Sequence, residues 1–127
     1  VEGVVLIRLW LFVAGLGGAA SVIAGAAAAH LSDNPITATL LTNGALYGMI
    51  HAAALLAVIA FAQGREPRRG LAVFAGWCFV AGIVLFSLGQ FAHAATGLRQ
   101  FAYTVPFGGT SFILGWAAIA ILAFRRR

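Results

Sequence analysis

Asn43, Tyr47 and His51 follow one another at intervals of four in "NGALYGMIHAAALLAVIAF" (Asn43–Phe61), so a helix stacks them along one ridge. Ser87, Gln90 and His93 recur within "FSLGQFAH", and His30 closes the apolar run that begins the chain. Imidazole, phenol, amide and hydroxyl groups can exchange hydrogen bonds, grip a polar ligand or, for imidazole, bind zinc, copper or haem iron. The spacing supports metal ligation only weakly. No two histidines stand four apart on one helix, and no carboxylate or thiolate accompanies them. Ser87 and His93 are six apart, a poor alignment for a nucleophile and its base, and no G-x-S-x-G, H-E-x-x-H or P-loop occurs.

The elements that must position these groups are membrane spans. The chain has 127 residues, 62% hydrophobic and 9% charged. A soluble domain of this size could not bury so much apolar surface. A spanning helix takes about 20 apolar residues, and four runs qualify, at about 4–29, 45–62, 71–95 and 106–124. The fold class expected is an all-α, four-transmembrane-helix bundle forming a single domain over 1–127. The first run, with Arg8 early and "GGAAS" further on, is read as a retained span rather than a cleaved leader, because its apolar stretch continues well beyond that segment. Asn34 before Pro35 has the pattern of an N-cap and first helical residue. It predicts a short interfacial helix in the first outer loop, running toward the second span with a bend near Gly44. Thr104 and Pro106 suggest a similar start for the fourth span.

Charge orients the bundle. All eight basic residues are arginine. Arg8, Arg65, Arg68, Arg69, Arg125, Arg126 and Arg127 fall on one side of a four-span chain, and Arg99 alone on the other. The positive-inside rule puts both termini and the "GREPRRG" loop in the cytoplasm. A net charge of +5 in short clusters at the ends of apolar runs is a topology signal, not a nucleic-acid-binding surface. The single cysteine, Cys78, reads as a small buried hydrophobe and excludes an intrachain disulfide.

Small residues supply the contacts between spans. Gly17, Ser21, Gly25 and Ala29 recur every four residues on the first, Gly108, Gly109, Ser111 and Gly115 lie on the fourth, and Gly82 and Gly89 lie on the third. Such ridges let helices approach closely, within the bundle or against a second subunit. By this layout His30, Asn43, Tyr47, His51, Ser87, Gln90 and His93 all approach the outer leaflet, with His51 about 9 Å below the boundary. Lipid offers these groups no partner, so they are expected to turn inward. His51, Tyr47 and Gln90 should share one network, with His30 at its edge. Four uses stay open: fixing the bundle, which the cost of an unpaired group in hydrocarbon favours; a lipid, quinone or small-molecule pocket; metal or haem ligation; and a solute path. No Asp, Glu or Lys lies within a span, unlike most ion-coupled carriers.

These segments also carry a family resemblance. "GAAAAHL" (Gly25–Leu31), "YGMIHAAAL" (Tyr47–Leu55), "GIVLFSLGQF" (Gly82–Phe91) and "VPFGGTSFILGW" (Val105–Trp116) resemble four ordered motifs of the domain-of-unknown-function 423 family of small bacterial inner-membrane proteins, related to animal transmembrane protein 256. Ala28, Val105 and the "LGQF" segment depart from the family pattern, and His93 has no counterpart in it, so His30 and His51 are the matched histidines. The resemblance implies a four-helix membrane protein with short loops and implies no activity.

The functional expectation is non-catalytic: an accessory or assembly subunit of a larger membrane complex, or a homo-oligomer. The alternative is binding or transport of a lipid, quinone, metal or small solute through the polar cluster. No cofactor is assigned. The expected partners are the bilayer and other membrane subunits or a second copy, not nucleic acid.

Overall fold

A computed structural model describes residues 1–126; Arg127, counted above among the orienting arginines, lies outside the described residues. The described chain is all-helical. Helices α1 (Glu2–His30) and α2 (Pro35–Ala62) are followed by α3 (Arg68–Gly82), which passes through a π-helical segment (Ile83–Leu88) into α4 (Gly89–Thr96). A short α5 (Arg99–Ala102) leads into α6 (Val105–Leu122). Four stretches are long and apolar enough to cross a membrane: Glu2–His30, Pro35–Ala62, Arg68–Thr96 and Arg99–Leu122.

Asn34 caps α2 as its sequence predicts: its side-chain oxygen accepts from the Ile36 and Thr37 amides at 2.9 and 3.4 Å, and Pro35 occupies the first turn. The expected interfacial helix is not a separate element. The helix that starts at Pro35 runs unbroken to Ala62, so it is the second span itself. Nothing between Pro35 and Ala45 stops it, and the hydroxyls of Thr39 and Thr42 bond back to the Pro35 and Ala38 carbonyls at 2.8 Å rather than breaking the turn. The short helix that does form is α5, at the start of the fourth apolar stretch. Gly97, in the left-handed region at φ 70°, ends α4 and turns the chain toward it.

The bundle is knitted by notches. Gly82 receives Phe112, Gly115 receives Phe79 and Gly76 receives the Trp10 indole. At Gly108 a side chain would meet the backbone of the π segment: an added Cβ would lie 2.7 Å from Phe86 Cβ and 2.9 Å from the Leu85 carbonyl carbon. Gly109 lies looser, with its nearest such neighbour, Phe86, at 3.9 Å. The first-span ridge also packs internally. Gly17 faces Ile83, Gly25 faces Ala45, and Ser21 closes on Gly48. Two hydroxyls of the fourth span clamp the third: Thr104 Oγ1 donates to the Leu85 carbonyl at 2.8 Å, and Ser111 Oγ to the Cys78 carbonyl at 2.7 Å. Thr104 therefore ties α6 to the π segment, where the sequence suggests a cap for its own helix. Helix α1 packs mainly along α2 and meets the third span at a few points, Trp10 at Gly76 and Gly17 at Ile83.

Candidate functional site

His51 is the centre of the polar structure. It is 3% exposed, although its helix is apolar on almost every side. Helical spacing aims Tyr47 and His51 at α6, which answers with Phe112 and Trp116, again four apart. The Trp116 indole Nε1–H donates to His51 Nε2 at 2.9 Å, and His51 Nδ1 lies 2.6 Å from the Tyr47 carbonyl oxygen. The two contacts assign the tautomer. An indole nitrogen can only donate, so Nε2 must be the acceptor; a carbonyl can only accept, so Nδ1 carries the proton. His51 is a neutral imidazole with both nitrogens occupied.

An aromatic wall encloses it. The imidazole stacks on Phe112 with centroids 3.5 Å apart and an interplanar angle of 10°. Phe79 lies tilted at 5.5 Å, and the Trp116 ring stands edge-on at 5.9 Å. Tyr47 is stacked in parallel with His51 and packs on Phe86 at 4.8 Å. A lateral cleft of about 330 Å³ opens beside this group between α2, the π segment and α6, reaching Gly109 and Ile113. The Tyr47 ring, 43% exposed, stands at its edge.

The seven polar residues expected to cluster do not form one group. Tyr47 and His51 are together, but the link within the pair is the Tyr47 backbone carbonyl, not its phenol. Ser87 is buried with Ser21 against Gly48, and neither hydroxyl has a hydrogen-bond partner among the described residues. Gln90 is buried but packs at Gly44, seven residues before His51, roughly 10 Å along the axis. This separates it from the expected network. His30 and Asn43 are exposed and His93 half-buried, none of them in the His51 group.

Because α2 starts at Pro35 rather than near Ala45, His51 lies near its middle, 16 residues from Pro35 and 11 from Ala62. His30 and His93 instead lie in the last turns of their helices. As a ligand, His51 would have to release Trp116 to free its lone pair. Among the described residues no three His, Cys, Asp or Glu side chains converge as a metal site.

Trp116 is the residue that sequence reasoning missed. Its signal was present: an indole N–H within a span needs an acceptor, and Phe112 and Trp116 lie on the same face as Gly108.

Comparison with known proteins bears on the whole chain. A family model described as "Protein of unknown function (DUF423)" matches residues 24–109. This chain belongs to the DUF423 family. Among relatives, the UPF0382 membrane protein YwdK of Bacillus subtilis is 30% identical over 121 residues, covering 93% of this chain and 98% of that protein. The UPF0382 inner membrane protein YgdD of Escherichia coli K12 is 31% identical over 122 residues, covering 93% and 91%. A UPF0382 membrane protein of Haemophilus influenzae is 31% identical over 121 residues, covering 93% and 95%. No solved structure matches. With four apolar spans and these relatives, this DUF423 member is a multi-pass inner-membrane protein.

Proposed function

We propose that the chain is a non-catalytic packing component of the membrane, joining a larger complex or a second copy of itself through α1. One observation carries the reading. Helix α1 is a full span packed mainly on α2 and left largely uncovered by the rest of the chain, and Gly15 and Gly18 on its surface have open space where a side chain would go. Open glycines on a helix surface admit another helix at short distance. The polar centre is consistent with this role, since both nitrogens of His51 are spent within the fold, Nε2 on holding α6 and Nδ1 on the Tyr47 carbonyl of its own helix. Both termini and the loop between α2 and α3 face the cytoplasm in this reading, supported by the seven-to-one split of arginines.

The test is native mass analysis after extraction in several mild detergents, with a Gly15→Leu/Gly18→Leu variant alongside. Those side chains enter space unused by the chain's own fold, so the variant should keep its thermal stability and lose its assembly. A chain that runs alone in every detergent contradicts the reading. A second reading, binding of a quinone or similar flat apolar ligand, is favoured by the lateral cleft, where the Tyr47 ring is the exposed edge. It requires Tyr47→Phe to abolish binding of a quinone analogue without loss of fold.

A further inference from the structure

The inner ends of α2 and α3 enclose a second space, remote from His51. A cavity of about 360 Å³ is lined by Ala60, Phe61, Gly64, Arg65 and Arg68. Its walls divide by chemistry. Ala60 and Phe61 belong to the last turn of the apolar α2, and Arg65 and Arg68 stand at the loop and at the first residue of α3. The Arg68 guanidinium carbon lies 5.8 Å from the centre of the Phe61 ring, which fixes this cation beside the apolar wall. Arg68 Nε is buried and has no hydrogen-bond partner among the described residues. Glu66, the acidic residue of this loop, turns its carboxylate onto the Gly70 amide at 3.2 Å. The site thus joins two cations, one with an unused donor, to a hydrocarbon-like floor at the end of a span.

We propose that this cavity binds an anionic glycerophospholipid, with the phosphate between Arg65 and Arg68 and the first acyl carbons along Ala60 and Phe61. A phosphodiester accepts hydrogen bonds in the fork geometry that guanidinium offers. The α3 N-terminus adds positive potential where the phosphate would sit. A zwitterionic lipid would bring an ammonium group toward two arginines, so headgroups with net negative charge are selected.

The experiment uses the full chain in detergent, titrated with phosphatidylglycerol or with phosphatidylcholine of the same acyl chains and followed by native mass spectrometry. Phosphatidylglycerol should bind in preference. Arg65→Gln/Arg68→Gln should weaken it by roughly tenfold or more. Arg125→Gln/Arg126→Gln removes the same charge at the same end of the bundle but leaves the cavity intact, and should change binding little. Arg65→Gln alone, at an exposed side chain, should give an intermediate loss with unchanged thermal stability and so guards against misfolding of the double variant. Equal losses in the two double variants would reduce the effect to general surface attraction and overturn the site. So would equal binding of the two lipids, or displacement of phosphatidylglycerol by millimolar inorganic phosphate, which would mark a free-anion site instead.

Discussion

Two neighbouring stripes of α2 carry its buried polar contacts. On the Tyr47–His51 stripe, facing α6, both imidazole nitrogens are matched, and four aromatic rings close around them. On the Gly44–Gly48 stripe, facing α1 and the π segment, Ser21 and Ser87 are 0% and 1% exposed with hydroxyls that meet no partner among the described residues. The first stripe uses polarity for direction: one donor–acceptor pair fixes α6 in rotation and height against α2. The second uses small size. Glycine opposite serine lets helices approach until side chains touch backbone, and the hydroxyl is incidental to that fit. A polar residue inside a membrane bundle is therefore not by itself a sign of chemistry; what matters is whether its polar atoms have been given partners.

The severest way to disturb this arrangement is to force the α6 side apart. Gly108→Val sets a branched side chain against the Phe86 and Leu85 backbone, which cannot swing away as a side-chain tip could. It should cost about 3 kcal/mol and break the Thr104–Leu85 clamp, read as a large fall in the unfolding midpoint in detergent. A near-native midpoint would mean that α6 does not approach the π segment so closely.

A smaller effect sharpens the contrast. His51→Phe keeps a ring against Phe112 but leaves the Trp116 N–H without an acceptor, and should cost about 1–3 kcal/mol. Adding Trp116→Phe removes the stranded donor, so the double variant should be less damaged than the two single costs summed. Strict additivity would mean that the indole and imidazole do not share a hydrogen bond. The smallest loss should come from Ser21→Ala and Ser87→Ala, which should be neutral or stabilising, because no hydrogen bond is lost, volume hardly changes and a buried hydroxyl without a partner is removed. A cost as large as that of His51→Phe would erase the distinction between the stripes.

Much of the fold was legible because lipid imposes simple rules. Apolar run length exposed four spans, Asn34–Pro35 marked the start of a helix, and spacing-four small residues marked where helices touch. Two features were not legible, for different reasons. The π segment packs against α6 at Gly108, 22 residues beyond Phe86 in the chain, and no local pattern announces it. The partner of His51 lies 65 residues away. The sequence signalled that an imidazole needed a donor or acceptor, but Gln90 and Trp116 both qualified chemically. Packing register decided between them: Gln90 packs at Gly44, seven residues before His51, while Trp116 stands level with the imidazole.

The tautomer of His51 tests the central claim most directly. Nitrogen-15 spectroscopy of the side chain, with the protein in lipid bilayers at neutral pH, should find a neutral ring protonated at Nδ1. Its Nε2 should be an unprotonated acceptor coupled to the Trp116 indole N–H, and that coupling should vanish in Trp116→Phe. A ring protonated at Nε2, or a charged ring, would contradict the account.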